Sequence, residues 1–291
     1  HLGVSMTDPA LRHRQARWAG WASLVANIGI VVTGGAVRLT GSGLGCPTWP
    51  RCTEEDFTPR GALDFHAAIE FGNRLLTFVL VAVAVLTFVA AVRTGRRHLV
   101  GLAVVLAAGI PLQAVIGGIT VLTDLNPWIV SLHLLLSMAL VGLSVRFLQV
   151  LDRPTPAVGG PATWLAWTVF AAAWVVLYLG TVVTGSGPHA GDAESPRNGL
   201  DPLQWSQLHA DAVFLYLGLT VGLLLCLLAV RADRAAVRVV LVLLVAELAQ
   251  GTIGFVQYFT DLPEVLVGLH MLGAAVLSAL TTAALLRVRH P

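Results

Sequence analysis

The chain has 291 residues, of which 56% are hydrophobic and only 12% are charged, and its formal net charge is +2. Soluble domains carry about 25% charged residues, so this composition excludes an ordinary soluble domain. All 18 basic residues are arginines, and they are spread between the apolar segments instead of forming one patch. That distribution argues against a nucleic-acid partner.

Eight apolar segments are long enough to cross a lipid bilayer, which requires about 20 residues per helix. They cover about residues 17–39, 67–92, 99–122, 127–150, 162–185, 206–230, 235–258 and 264–287. The sequence therefore predicts an all-α integral membrane protein with eight transmembrane helices. The first sixteen residues are polar and the first apolar run continues into a full span, so no cleavable signal peptide is expected.

The arginines indicate how the helices are oriented. Most of them fall on one side of the eight-span arrangement, which the positive-inside rule makes the cytoplasmic side. These are Arg12, Arg14, Arg17, Arg93, Arg96, Arg97, Arg146, Arg153, Arg231, Arg234, Arg238, Arg287 and Arg289. Both termini are then cytoplasmic, and the long segments 40–66 and 186–205 face outward. We expect a multi-pass protein of the bacterial plasma membrane.

The two halves of the chain resemble each other. Gln113-Ala-Val-Ile-Gly matches Gln250-Gly-Thr-Ile-Gly, and the same offset separates His133 from His270. Leu39-Thr-Gly-Ser-Gly likewise matches Val183-Thr-Gly-Ser-Gly. Weak internal similarity between halves of the same orientation indicates a parallel repeat. It predicts two pseudo-symmetric four-helix bundles, with a cytoplasmic tail (1–16), an N-terminal half (17–150), a linker (151–161) and a C-terminal half (162–291).

Four histidines lie at the outer ends of these apolar segments: His66, His133, His209 and His270. An ionisable side chain inside a bilayer is unfavourable and by default marks a functional site. Two imidazoles on facing helices are also the ligand set of a six-coordinate heme. His209 and His270 lie at similar depths, so they can reach one iron. The structural alternative is a histidine that bonds a backbone carbonyl or a water inside the bundle.

The first half carries a less complete pair. The position that corresponds to His209 falls beside Asn73, and His66 lies seven residues earlier, about two turns up the helix. Asn73 is then a candidate for the ligand position, while His66 could ligate iron from the rim, bind a propionate or cap the helix. An incomplete pair suits a substrate heme better than a permanent cofactor.

Glu70 and Arg74 share one helix face with His66. A carboxylate at this depth can act as an acid or base or stabilise a developing cation. The alternative is a structural ion pair between Glu70 and Arg74. Arg74 is also a suitable partner for a heme propionate.

Cys46 and Cys52 lie in the first outward segment. The exterior of a bacterial membrane is oxidising, which favours a disulfide over a metal site. Such a bridge could be a structural staple or a redox-active pair. Cys226 lies within an apolar run and is interpreted as a small core residue.

Several of these motifs resemble those of the heme A synthase family. The longest is Gly34-Gly-Ala-Val-Arg-Leu-Thr-Gly-Ser-Gly-Leu-Gly-Cys-Pro-Thr-Trp-Pro-Arg-Cys52, followed by Ile69-Glu-Phe-Gly-Asn-Arg-Leu-Leu76. Gln113-Ala-Val-Ile-Gly-Gly, Leu132-His133 and Leu269-His270 fit the same family. Thr184-Gly-Ser-Gly-Pro-His-Ala-Gly-Asp192 looks like its actinobacterial branch. The resemblance extends from about residue 17 to residue 287.

The resemblance implies an enzyme that oxidises the C8 methyl of heme O to a formyl group with oxygen from water, making heme A for cytochrome oxidase. A permanent heme b would have His209 and His270 as axial ligands, and His133 would bind the iron of the substrate heme. Glu70 matches the essential glutamate of the family, and Cys46 and Cys52 match its outer cysteine pair. The implied partners are heme O synthase and an electron-transfer protein; a homo-oligomer is left open.

The chain departs from the family at two places. Many members have histidine where this chain has Asn73, and many have a second cysteine pair in the later outer segment, where residues 186–205 contain none. The main alternative is a non-catalytic diheme b-type membrane cytochrome that transfers electrons; it would need two complete histidine pairs, and Asn73 weakens the second. A transporter that uses the histidines and Glu70 as a proton relay is a third class.

Overall fold

The computed structural model describes residues 8–59, 65–152 and 159–290, and in these ranges the chain forms eight α-helices and no β-strand. The helices are α1 (Pro9–Leu39), α2 (Phe65–Thr94), α3 (Arg97–Leu122), α4 (Pro127–Asp152), α5 (Pro161–Ser186), α6 (Pro202–Ala229), α7 (Arg234–Phe259) and α8 (Glu264–Arg289). The predicted all-α class is confirmed. Parts of the predicted tail (1–7), first long segment (60–64) and linker (153–158) lie outside the described residues, as does residue 291.

The helices match a bilayer in length and in surface. Those in the described part of the chain have 26 to 31 residues, which at a rise of about 1.5 Å per residue exceeds the roughly 30 Å of a hydrocarbon core. Each is long and apolar enough to cross a membrane. Large apolar side chains such as Phe78, Trp164 and Phe259 are more than two-thirds exposed, which indicates a surface that contacts lipid rather than water.

Local capping explains where the helices begin. The side chain of Asp8 accepts a hydrogen bond from the backbone N–H of Ala10, at 2.9 Å, and Pro9 occupies the first helical position. As a result α1 begins inside the segment that we assigned to the tail. Asp201 caps α6 in the same way, so this helix begins at Pro202, within the predicted loop 186–205.

The helices pair in the same order within each half. In the first half α1 packs against α2, α2 against α3, α3 against α4, and α4 against α1; helices α5 to α8 repeat this ring. The halves meet through α4 with α8, α1 with α8, and α4 with α5. Exchanging α1 for α5 and α4 for α8 reproduces the pattern, which is consistent with two related bundles.

Polar contacts tie the halves together within the bundle. The hydroxyl of Ser278 donates to the carbonyl of Met138 at 3.2 Å, and the hydroxyls of Ser131 and Thr181 are 2.5 Å apart. All four residues lie on helices of the interface. The apolar contacts between the halves are therefore reinforced by hydrogen bonds that a lipid environment does not weaken by competition.

We call the end of the bundle at which α1 and α5 terminate the long-loop end. There Gly43 donates its backbone N–H to the carbonyl of Gly191, at 2.8 Å, and Arg38 donates to the carbonyl of Thr184, at 3.0 Å. Gly191 has a φ of +96°, a conformation that glycine adopts without strain. The segments that follow α1 and α5 are thus joined to each other.

Candidate functional site

His209 and His270 lie at the same end of the C-terminal half, seven residues after the start of α6 and six residues after the start of α8. Each ring lies over a glycine of a neighbouring helix. A Cβ atom at Gly180 of α5 would be 3.2 Å from Cε1 of His209, and one at Gly254 of α7 would be 3.2 Å from Cε1 of His270. The two glycines therefore form a cradle that larger residues would fill.

The repeated glutamine holds the backbone beside one histidine of each half. Gln250 donates to the carbonyl of His270 at 2.7 Å, and Gln113 donates to the carbonyl of His133 at 3.0 Å. The glycine four residues after each glutamine lies on the same helix face. This placement accounts for the Gln-x-x-x-Gly repeat: the glutamine fixes the backbone of the histidine, and the glycine makes room for its ring.

His133 occupies the equivalent place in the N-terminal half. A Cβ atom at Gly117 of α3 would lie 3.2 Å from Cε1 of the His133 ring. The Nδ1 atoms of His133, His209 and His270 are all buried and have no hydrogen-bond partner among the described residues. Buried polar atoms are normally paired, so three unpaired imidazole nitrogens indicate a role other than structural support.

Asn73, and not a second imidazole, faces α1 in the first half. The hydroxyl of Thr33 donates to Oδ1 of Asn73 at 2.8 Å. His66 lies two turns nearer the long-loop end, where its exposed side chain places Nδ1 3.0 Å from the hydroxyl of Ser42. The structure thus positions His66 at the rim and Asn73 deeper in the half.

Glu70 and Arg74 bind each other and also the loop that contains the cysteines. Glu70 is only 5% exposed and accepts a hydrogen bond from the backbone N–H of Cys46. Arg74 donates to Oε1 of Glu70 through Nη2 at 2.5 Å and through Nε at 3.2 Å. It also donates to the carbonyls of Cys46, at 2.9 Å, and Arg51, at 3.2 Å. The carboxylate is therefore fixed in position and shielded from solvent.

A disulfide joins Cys46 to Cys52, as predicted, and both residues are buried. The loop between them carries Trp49, whose indole lies on α3 so closely that a side chain at Gly118 would overlap it. Gly118 follows Gly117, which lies beside His133, so the loop packs on α3 one residue from the position that accommodates the histidine. Cys226 is a free thiol on α6 and is only partly buried, so it does not belong to the core to which the sequence assigned it.

Sequence reasoning missed two contributors to these sites, Thr33 and Trp49. Thr33 is one of many threonines in the chain, and no local pattern connects it with Asn73, 40 residues away. Trp49 lies within the motif around the cysteines, but its packing on α3 depends on the tertiary fold. Glu247 of α7, also buried, accepts a hydrogen bond from Thr220 of α6 at 2.7 Å.

The fold and the sites define a helical membrane protein with two buried histidines over glycines in one half and, in the other, one such histidine together with a buried carboxylate. The sequence model of the family described as cytochrome oxidase assembly protein matches residues 16–193. The match covers more than half of the chain, and the chain belongs to this family.

The chain is also similar to three proteins named heme A synthase. It is 30% identical over 156 residues to a protein of Geobacillus thermodenitrificans named heme A synthase, covering 50% of this chain and 47% of the relative. It is 32% identical over 120 residues to the heme A synthase of Geobacillus kaustophilus (strain HTA426), covering 39% and 35%. For that of Lysinibacillus sphaericus (strain C3-41), the identity is 30% over 143 residues, covering 48% and 46%. The chain thus matches half or less of the length of these relatives.

Proposed function

We propose that the chain is a heme A synthase, which oxidises the C8 methyl of heme O to a formyl group. The observation that carries this proposal is the presence of two unlike sites: two histidines over glycines in the C-terminal half, and a single histidine over a glycine in the half that also holds the buried, fixed carboxylate of Glu70. A permanent cofactor requires the first kind of site, and a substrate that must enter, react and leave suits the second. The names of the relatives support the same activity.

The C-terminal half fits a heme b. Its two imidazoles come from different helices, lie at the same end of the bundle, and sit over glycines that leave room for a flat group. His209 and His270 would be the axial ligands, and the heme would supply one-electron redox chemistry when bound. Gln250 keeps the backbone of His270 in register, and Gly180 and Gly254 keep the space open.

A substitution within the cradle tests this assignment. In Gly254→Val, the added side chain would occupy space against the His270 ring, so we expect most of the heme b to be lost from the purified protein. Heme content per protein, measured by extraction and absorbance, is the readout.

Gly251→Val is the matched control, because nothing lies within 4 Å of the Cβ position at Gly251 on the same helix. We expect this variant to retain its heme. Full heme b content with an unchanged spectrum in Gly254→Val would argue against the cradle.

In the N-terminal half, His133 would bind the substrate iron and Glu70 would act on the methyl group. Conversion of the methyl to a formyl group consumes one water and releases four protons and four electrons. The carbon becomes electron-poor during this oxidation, and a fixed negative charge nearby stabilises that state. The hydrogen bond from Cys46 and the ion pair with Arg74 hold the carboxylate where it can do so, or accept a proton, without reorganising. Arg74 is in addition a candidate for pairing with a propionate.

The proposal includes a location and partners. The long-loop end would face the outside of a bacterial plasma membrane, with both termini cytoplasmic, which the arginine distribution favours. The disulfide at that end is consistent with an oxidising compartment. Heme O would come from a heme O synthase, and an electron-transfer partner would remove the electrons.

Heme analysis of cells that make the chain together with a heme O synthase tests the function. Heme A in the extract, absent when the chain is omitted, would support the proposal. Heme O that accumulates unchanged beside a folded protein loaded with two hemes b would favour an electron-carrying cytochrome. A colourless protein would favour a transporter.

A further inference from the structure

The N-terminal and C-terminal sites differ on the side of the heme opposite His133 and His270. We propose that the substrate iron has a single protein ligand, His133, and that Asn73 holds a water molecule at the open coordination position. This inference rests on the proposed function and adds to it the coordination state of the substrate.

Asn73 occupies the position that His209 has in the other half. His209 lies beside Gly180 and the backbone of Val176 on α5. Asn73 is bonded to Thr33 on α1. The matching motifs at the ends of α1 and α5 align Thr33 with Leu177, which lies between Val176 and Gly180. Each residue therefore contacts the preceding helix at the equivalent turn.

His133 likewise corresponds to His270, because both rings lie over the glycine of a Gln-x-x-x-Gly motif. In the proposed heme b site, His209 and His270 bind opposite faces of one planar group, so by the same correspondence Asn73 lies across the first site from His133. A planar group bound to His133 would then have an asparagine, and not an imidazole, over its other face.

The hydrogen bond from Thr33 determines what Asn73 can offer to a ligand. Oδ1 accepts the hydroxyl proton of Thr33, so the oxygen is directed toward α1. The amide nitrogen carries two donors and no acceptor, and it has no partner within the ranges that the structure describes. A group that only donates hydrogen bonds is unsuited to iron, but it can orient the oxygen of a water bound there. Asparagine is also shorter than histidine, which leaves space for that water.

His66 is not placed to supply the missing ligand. Its ring is bonded to Ser42, and its Cα lies about 10 Å along α2 from that of Asn73, since seven residues separate them. Gly45 packs against the carbonyl of His66 and holds this turn of α2 against the loop. An open position also agrees with a substrate, which must be released after it reacts.

The test uses the full chain purified from cells that also make heme O synthase, with carbon monoxide as the probe. Carbon monoxide binds ferrous heme only where a coordination position is free or held by water. We expect the substrate heme, identified by extraction as heme O or heme A, to be high-spin and to bind carbon monoxide, whereas heme b remains low-spin and does not. Asn73→His should convert the substrate heme to a low-spin form and abolish carbon monoxide binding.

Two further variants keep the result interpretable, and the heme b spectrum of each sample reports whether the protein is folded. In Thr33→Val, which frees the asparagine oxygen, we expect the water to be held less firmly and carbon monoxide binding to be retained. In His66→Ala, we expect the spin state of the substrate heme to be unchanged. If the substrate heme of the native chain is low-spin and becomes high-spin in His66→Ala, the inference is wrong and His66 is the ligand.

The two proposals fail in different ways. Heme O that is bound, low-spin and inert to carbon monoxide in the native chain overturns only the inference about Asn73. A protein that carries heme b alone and never contains heme O or heme A overturns the proposed function and the inference with it.

Discussion

Replacing His209 with alanine is expected to eliminate the heme b that we propose for the C-terminal half. The cradle of the C-terminal half holds two imidazoles, one over Gly180 and one over Gly254, and a six-coordinate heme would depend on both. Truncation removes one iron ligand and leaves an apolar hole beside Gly180, so the remaining histidine cannot maintain the low-spin state. The low-spin signal of heme b, measured by electron paramagnetic resonance and normalised to protein, should fall to background.

The comparison variants locate this effect in the C-terminal half. His270→Ala should reproduce it, since His270 is the partner ring. His13→Ala should not, because that imidazole lies at the opposite end of the bundle, 3.2 Å from a carboxylate oxygen of Asp152. A full heme b signal in both His209→Ala and His270→Ala would refute the assignment of the cofactor to this half.

Glu70→Gln is expected to abolish heme A formation while the protein stays folded and retains heme b. Glutamine has nearly the same size, and its side-chain oxygen can still accept the hydrogen bond from the backbone of Cys46, so the loop should keep its position. The change removes the negative charge and the ability to take up a proton. Losses of about 10²- to 10⁴-fold are typical when a catalytic acid or base is removed. The rate of heme A formation in membranes supplied with heme O is the measurement.

Glu70→Gln and Glu70→Ala together distinguish a structural role of Glu70 from a catalytic one. If the carboxylate only anchors the loop, Glu70→Gln should be nearly as active as the native chain, and Glu70→Ala should be inactive. If its charge takes part in the oxidation, both should be equally impaired, which is what we expect. Glu264→Gln, at an exposed carboxylate in the first turn of α8, is the matched control and should retain full activity.

Much of the architecture could be predicted because it depends on patterns that are visible in the sequence itself. Apolar length alone defined the spans, and the repeated Gln-x-x-x-Gly motif and histidine offset predicted matching sites in two halves. Local capping shifted the boundaries: Asp8 and Pro9 extend α1 into a segment whose polarity indicated a tail. Helix ends of this kind depend on one or two residues. The average hydrophobicity of a whole segment does not locate them.

Contacts between distant elements could not be predicted in the same way. The bond between Arg38 and the carbonyl of Thr184 joins residues 146 positions apart, and the packing of Trp49 on Gly118 joins a loop to a helix. Neither leaves a periodic signal in the chain. For Glu70, the sequence offered a choice between chemistry and an ion pair. The structure shows that Glu70 is both buried and ion-paired with Arg74. This arrangement would hold the carboxylate in position for the proposed oxidation.

The order in which the helices pack also affects how freely the sequence of each half can change in evolution. Within the described ranges, α2 packs only against α1 and α3, while contacts with the other half are made by α1 and α4. Asn73 therefore lies on a peripheral helix, where a histidine can be exchanged for an asparagine without disturbing the opposite bundle. With two bundles arranged in this way, the N-terminal half can adapt to binding and releasing a substrate. The C-terminal half can keep the site of the proposed fixed cofactor.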